Sequence, residues 1–347
     1  MIRQNMRKIW QVLLTIAFVF VFSSTCQAHF PIDKALLESA ESGDAESLFL
    51  VGKFYYEHSV HNSYDKQAIS YLSRASEKKH LHASALLAVL YKRLKSSADA
   101  KQIFNAISDK LLLSAQNGDP VSQVMMGLAT GWNLTIEQDR DQKTTDWYKK
   151  AAEQGNTDGQ YYLGWRYKEG RGVQKDLNQA FYWFMKAAEQ GHFQAQNEVG
   201  ICYGKGHGVA KSDSNAVNWY YRSAMQGYSW GEYNLGYNYI NGKGVSKDSK
   251  KGVEWYIKAA SQKNLWAMNN LGLCYRDGNG TSKDMERAFA LFEDAAWKNY
   301  RNAQYNLGRC YENGWGTPRN VAKAIEWYSK AANQGHTKSK EALDWLQ

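Results

Sequence analysis

Residues 231–263 read GEYNLGYNYINGKGVSKDSKKGVEWYIKAASQK. Gly236 and Tyr239 lie three residues apart, and the Gly242/Gly244 pair follows at once. Paired glycines so close together point to a turn that needs positive φ. Asp248 then stands where a helix N-cap is expected, ahead of a second run centred on Trp255. The stretch therefore reads as helix, turn, helix. The preceding copy shows the helical period plainly, because Ala195, Val199, Gly200 and Tyr203 fall on one face. Ala180 to Ala188 forms the matching second amphipathic run, stopped by Gly191.

The same columns recur every 36 residues. Gly164, Gly200, Gly236, Gly272 and Gly308 keep that spacing, and Tyr167, Tyr203, Tyr239, Tyr275 and Tyr311 follow each by three. Trp147, Trp183, Trp219, Trp255 and Trp327 form another column, with Leu291 in the vacant place. Several columns in register identify a repeat array. Upstream the period persists in degraded form, through Gly43 and Gly52, then Ala88 in the glycine slot, then Gly118 and Gly127 after an expected extra loop near 96–101. The expected architecture is all-α, a right-handed superhelical α-solenoid of about eight helix-pair repeats. A half-repeat at about 33–42 enters it, and a C-terminal capping helix at about 337–346 closes it, with Trp345 and Leu346 covering the last pair.

Composition agrees with an array. The 347 residues are 44% apolar and include three prolines against 28 glycines, which excludes a disordered or collagen-like chain. The 14% aromatic content fits a motif copied many times, and four cysteines are too few to staple a scaffold of this size.

Residues 1–28 read as a secretory signal peptide. Arg3, Arg7 and Lys8 precede an apolar run from Ile9 to Phe22, and Cys26-Gln27-Ala28 places small residues at a cleavage site. The run is short for a bilayer span; a retained anchor and a lipidated Cys26 are the alternatives. Removing the three basic residues of this leader lowers the formal charge from +9 to +6. So mild a charge, with no basic run, does not indicate nucleic acid. The chain then divides into 29–118, divergent repeats, and 119–347, regular repeats and cap, as one continuous solenoid with no integral membrane span after cleavage. The expected location is periplasmic or secreted.

These columns resemble the Sel-one-like repeat (SLR), a relative of the tetratricopeptide repeat. Within 231–263 the resemblance is carried by Tyr233, Leu235, Gly236, Tyr239, Gly242, Gly244, Val245, Asp248, Lys251, Trp255, Tyr256, Lys258, Ala259, Ala260 and Gln262. It implies an α-solenoid that binds other proteins, frequently at bacterial envelopes. A secreted effector, an envelope enzyme or a host protein is the implied partner. Narrower implied roles are an immunity protein against a phospholipase effector of type VI secretion, and a virulence or envelope-regulation factor. Some members carry cysteine pairs in each repeat, a few of them catalogued as β-lactamases. This sequence has neither those pairs nor an S-x-x-K motif, so that activity is not carried over.

By analogy with tetratricopeptide geometry, the first helix of each pair faces inward, exposing positions six and three before the glycine and one and four after it. The partner-binding residues expected on the concave face are Tyr161, Trp165, Trp230, Tyr233, Tyr237, Trp266, Arg276, Tyr305 and Arg309. Trp, Tyr and Arg dominate interface hot spots, and the two arginines are expected to pair with partner carboxylates. The repeated tryptophans are assigned to the core instead, since a specific ligand contact rarely recurs identically in every copy.

Other chemistry finds little footing. Cys202, Cys274 and Cys310 occupy equivalent places, which puts neighbours roughly 9–10 Å apart by helix packing, beyond disulfide reach. His58/His61 and His80/His82 lack the carboxylates or thiols to complete a metal site and read as surface residues. Asp139-Arg140-Asp141 reads as a solvated loop. No cofactor and no catalytic constellation emerges, which weighs against the rival reading as a hydrolase.

Overall fold

A computed structural model describes residues 32–346. The leader assigned to 1–28 lies outside the described residues. Those residues form 18 helices and no strand. α1 (Lys34–Ser42) enters the array, and α18 (Thr337–Leu346) ends it. Between them stand eight helix pairs, numbered here as repeats 1 to 8. They are α2 (Ala45–His58) with α3 (Asp65–Glu77), α4 (Leu81–Arg93) with α5 (Ser97–Gln116), α6 (Pro120–Gly131) with α7 (Arg140–Glu153), and α8 (Thr157–Glu169) with α9 (Leu177–Glu189). Then come α10 (Phe193–Lys205) with α11 (Asp213–Met225), α12 (Ser229–Asn241) with α13 (Ser249–Ser261), α14 (Leu265–Asp277) with α15 (Met285–Trp297), and α16 (Arg301–Asn313) with α17 (Val321–Asn333). Helices that pack along their length are chain neighbours or one helix apart, as a solenoid requires.

Each helix end has a local cause. Asp176, Asp248, Asp284 and Asn320 cap the second helices of their repeats, their side-chain oxygens accepting backbone N–H bonds of the first turn. Gly170, Gly206, Gly242, Gly278 and Gly314 end the first helices in the left-handed region, with φ between 64° and 73°.

The repeat glycine exists to admit a ring. A Cβ on Gly164 would come within 2.6 Å of Phe184, and one on Gly200, Gly236, Gly272 or Gly308 within 2.6–2.8 Å of Tyr220, Tyr256, Phe292 or Tyr328. Those five rings are buried, and they follow or match the tryptophan column by one place. The tryptophans assigned to the core are less deep than expected. Trp147, Trp183, Trp219 and Trp255 are only half-buried, and a cation from the next turn covers each; Lys258 sits 4.1 Å from the Trp255 ring and Arg222 4.4 Å from that of Trp219. Trp327 alone is buried.

Three further expectations are corrected. The extra residues near 96–101 lengthen α5 to 20 residues rather than forming a loop; the segment lacks a glycine pair and is rich in good helix formers. Arg140 and Asp141 begin α7, and Asp141 accepts from Arg166 at 2.8 Å, so this stretch joins repeats 3 and 4. Trp345 points outward, 91% exposed, while Ala342, Leu343 and Leu346 share the face that covers the last pair.

A ladder of amides, its inner members buried, runs through the repeats. Gln154, Gln190, Gln226 and Gln334, each just past the second helix of its repeat, donate to a glutamine in the first helix of the same repeat, Gln123, Gln160, Gln196 and Gln304, at 2.7–2.8 Å. These acceptors in turn donate to the alanine carbonyl eight residues back, as Gln196 does to Ala188. Glu232 replaces the acceptor glutamine in repeat 6, where Gln262 donates to it at 2.7 Å. Burial pushes its carboxyl up to about 8, against the opposing pull of Lys258 and the Gln262 bond. The neutral acid retains a hydrogen, as the glutamines do; the carboxylate has none. With its folded pKa raised, Glu232 costs stability as pH climbs from the ordinary carboxylate range towards 8. Glu232→Gln is therefore expected to stabilise the chain by about 1–3 kcal/mol at pH 8.5, the scale of a poorly satisfied buried polar group. The gain should vanish at pH 4 in urea titrations; an equal gain at both values refutes this account.

Candidate functional site

The first helices supply the inner surface, and their glycine column sets which side chains reach it. Lys53 and Tyr56 stand one and four places after Gly52 in repeat 1. Asp158, Gln194, Trp230 and Trp266 stand six places before the glycines of repeats 4, 5, 6 and 7. The structure brings these two sets together: the C-terminal end of α2 and segment 59–64 lean across the groove onto the N-terminal ends of α8, α10, α12 and α14.

Four titratable groups meet at one end of this contact. Lys53 Nζ lies 2.5 Å from Asp158 Oδ2 and 3.4 Å from Glu57 Oε1, and His192 Nε2 lies 3.3 Å from Asp158 Oδ1. His192 Nδ1 accepts from the Ala195 N–H at 3.2 Å, which leaves the proton on Nε2, facing Asp158. Burial opposes the Lys53 charge, but Glu57 and Asp158 outweigh it and raise the ammonium above its usual range. Burial likewise works against the Asp158 carboxylate, yet Lys53 and His192 hold it well below the usual range. For Glu57 burial wins, and its carboxyl is raised.

His58 anchors the middle. Its ring stacks on Phe54 at 3.9 Å and on Phe193 at 4.2 Å. Nδ1 lies 2.9 Å from the Phe54 carbonyl and Nε2 3.4 Å from that of Gln226. Burial outweighs both carbonyls and pulls the imidazole down to about 4, so the ring is neutral at physiological pH. This residue is buried rather than a surface histidine. Gln194 Nε2 donates to the Glu57 carbonyl at 3.1 Å, and farther along His61 stacks over Trp266 at 6.1 Å.

Beside this contact runs a cleft of about 390 Å³, lined by Tyr56, Glu57, His61 and Arg93 from repeats 1 and 2, and by Tyr161, Tyr162, Gln194, Tyr228 and Trp230 opposite. Of the nine residues expected on the concave face, Tyr161 and Trp230 line it. Trp230 also packs on Trp266 at 4.8 Å, and Trp266 on Tyr300 at 4.9 Å, making an aromatic row along repeats 6 to 8. The others lie elsewhere. Trp165 is covered by Lys168 at 3.8 Å, Tyr233 stacks on Tyr256, and Tyr305 packs against Tyr328 and His336. Arg276 already pairs with Asp277 through two 2.7 Å bonds, so its charge is partly spent within the chain, and with Arg309 it borders Trp315. Tyr237 is exposed.

Sequence reasoning passed over Lys53, Asp158 and Gln194, although the groove slots already counted from Gly52, Gly164 and Gly200 contain them. Cys202, Cys274 and Cys310 are buried free thiols, their pKa values raised chiefly by burial. Among the described residues no group of His, Cys, Asp or Glu is placed to hold a metal, and no helix is long and apolar enough to cross a membrane.

The repeats have relatives of known structure. A Sel1 repeat protein from Oxalobacter formigenes is 29% identical, with 90% of each chain covered and a TM-score of 0.61. The uropathogenic Escherichia coli protein c5321, described as a protective antigen displaying an SLR fold, is also 29% identical, with a TM-score of 0.59 over 90% of this chain and 66% of its own. No curated protein sequence matches. The Sel1 repeat model matches residues 45–80, 120–156, 157–192, 193–228, 231–264, 267–298 and 301–336. Repeat 2, whose glycine slot holds Ala88 and whose α5 is lengthened, is the pair that it passes over. With seven matched units and the helix-pair solenoid, the chain belongs to the Sel1 repeat family.

Proposed function

We propose that this chain is an exported scaffold that holds a segment of another protein in its concave groove and catalyses no reaction. One contrast carries the reading. Packing slots repeat their residue type because every interface between repeats is alike, whereas slots that meet a ligand differ because the ligand does not repeat. One place after the glycine stand Trp165, Ile201, Tyr237, Leu273 and Arg309, five residue types that span aromatic, aliphatic and cationic side chains. The glycine itself and the ring it admits hardly vary. Export is supported by the leader-like residues 1–28 and by the likeness to a protective antigen. The partner is a secreted effector, an envelope enzyme or a host protein.

Capture from an envelope extract tests the proposal. The chain is expected to retain one equimolar partner. Combined replacement of Tyr237, Trp266 and Arg309 by Ala should weaken that capture at least ~10-fold, the equivalent of about 1.4 kcal/mol, with helicity unchanged. Undiminished capture by the triple variant would overturn the groove as the binding surface.

A further inference from the structure

The groove already contains protein, because the C-terminal end of α2 and the turn after it rest on the first-helix N-termini of repeats 4 to 7. Successive repeats also exchange ion pairs and amide bonds, such as Arg166–Asp141, but these rim a continuous packing of alanines and rings, which the repeat 1 contact lacks. Here the adhesion comes from side-chain tips: the partly buried Lys53–Asp158 pair, the stacked His58 and the Gln194 amide. α2 does not pack along α8, α10 or α12. A cleft of about 390 Å³ stays unfilled beside the contact, unlike a packed core. An ion pair such as Lys53–Asp158 adds little net stability, because water reclaims both charges on separation.

We propose that repeat 1 is a reversible clasp, a built-in occupant that competes with the partner for the slots of repeats 4 to 7. This rests on the groove reading above and adds how that groove is regulated. The occupant also defines the chemistry the slots accept. Lys53 brings a cation to Asp158, and His58, five residues on, slides a flat ring onto Phe193. A partner segment ending a helix, with a basic residue followed at that distance by histidine or an aromatic residue, satisfies both positions and displaces α2.

The test uses the full chain and a fluorescent synthetic peptide with the sequence of residues 52–63. In the unaltered chain the clasp is shut, and the peptide should bind weakly. Lys53→Ala should raise amide exchange at least tenfold in 45–58 and 192–196 while 285–333 stays protected. The same variant should bind the peptide at least tenfold more tightly, and adding Asp158→Ala should abolish that gain. Should Lys53→Ala loosen the whole chain, His58→Ala provides the same two readouts. Unchanged exchange in 45–58 in both variants, or equal peptide binding by open and closed chains, overturns the clasp. An opened clasp that binds the peptide while the envelope partner is captured without Tyr237 and Arg309 supports the clasp and counts against the partner groove instead.

Discussion

Replacing Phe184 by alanine is expected to lower the stability of its region by about 3–5 kcal/mol, the range for a large ring deleted from a packed interior. Phe184 is fully buried and its ring fills the space above Gly164, where a Cβ would come within 2.6 Å. Alanine leaves a cavity whose floor is a glycine backbone, between the rings of Tyr161 and Trp165. Trp183, one place earlier, is half-buried, with Lys186 lying 5.6 Å from its ring in water-accessible surroundings. Its replacement by alanine should cost only about 1–2 kcal/mol, nearer the ordinary range for substitutions outside the deep core. Urea titration of the two variants checks the ranking. Equal losses, or a larger one for Trp183, would show that the tryptophan column holds the repeats together after all.

Gly208→Ala should be the second severe change, and Gly206→Ala a mild one. Both glycines have positive φ, 69° and 73°, and each alanine therefore carries the left-handed penalty of about 1–2 kcal/mol. Around Gly206 a Cβ has ordinary space, the nearest atom being the Lys211 Cβ at 3.5 Å. At Gly208 it would fall 2.0 Å from the Leu177 carbonyl oxygen, at the start of α9 in the preceding repeat. Backbone cannot step aside there without prising repeat 5 from repeat 4. A loss of at least ~3 kcal/mol is expected, with proteolytic nicking near 206–212. Gly172, Gly244, Gly280 and Gly316 meet the same obstacle, each placing a Cβ 2.1–2.2 Å from a carbonyl oxygen one repeat back. The second glycine of the pair thus serves the joint between repeats, and the first serves the helix end.

Most of the fold was legible because its causes are short-range. Asp248 caps α13 through an N–H three residues away, and Gly242 stops α12 through its own φ. α1 and α18 were anticipated within a residue or two for the same reason. Where the reading slipped, the deciding atoms lay farther off. Nothing near Trp219 tells that its neighbour Tyr220 takes the deeper place; that follows from the gap over Gly200 across the repeat. His58 resembles a surface histidine until Phe193 arrives from 135 positions downstream.

The amino-acid sequence alone determined the 36-residue unit, the ends of its helices and the stacking of eight pairs, since each depends on caps, glycines and contacts between adjacent repeats. Only the tertiary structure decided that Lys53 would meet Asp158, 105 residues away, and that repeat 1 would lie across the groove. The reason is cumulative: every joint adds a small rotation, and where the first module lands on the later ones depends on the sum over all of them, which no single repeat encodes.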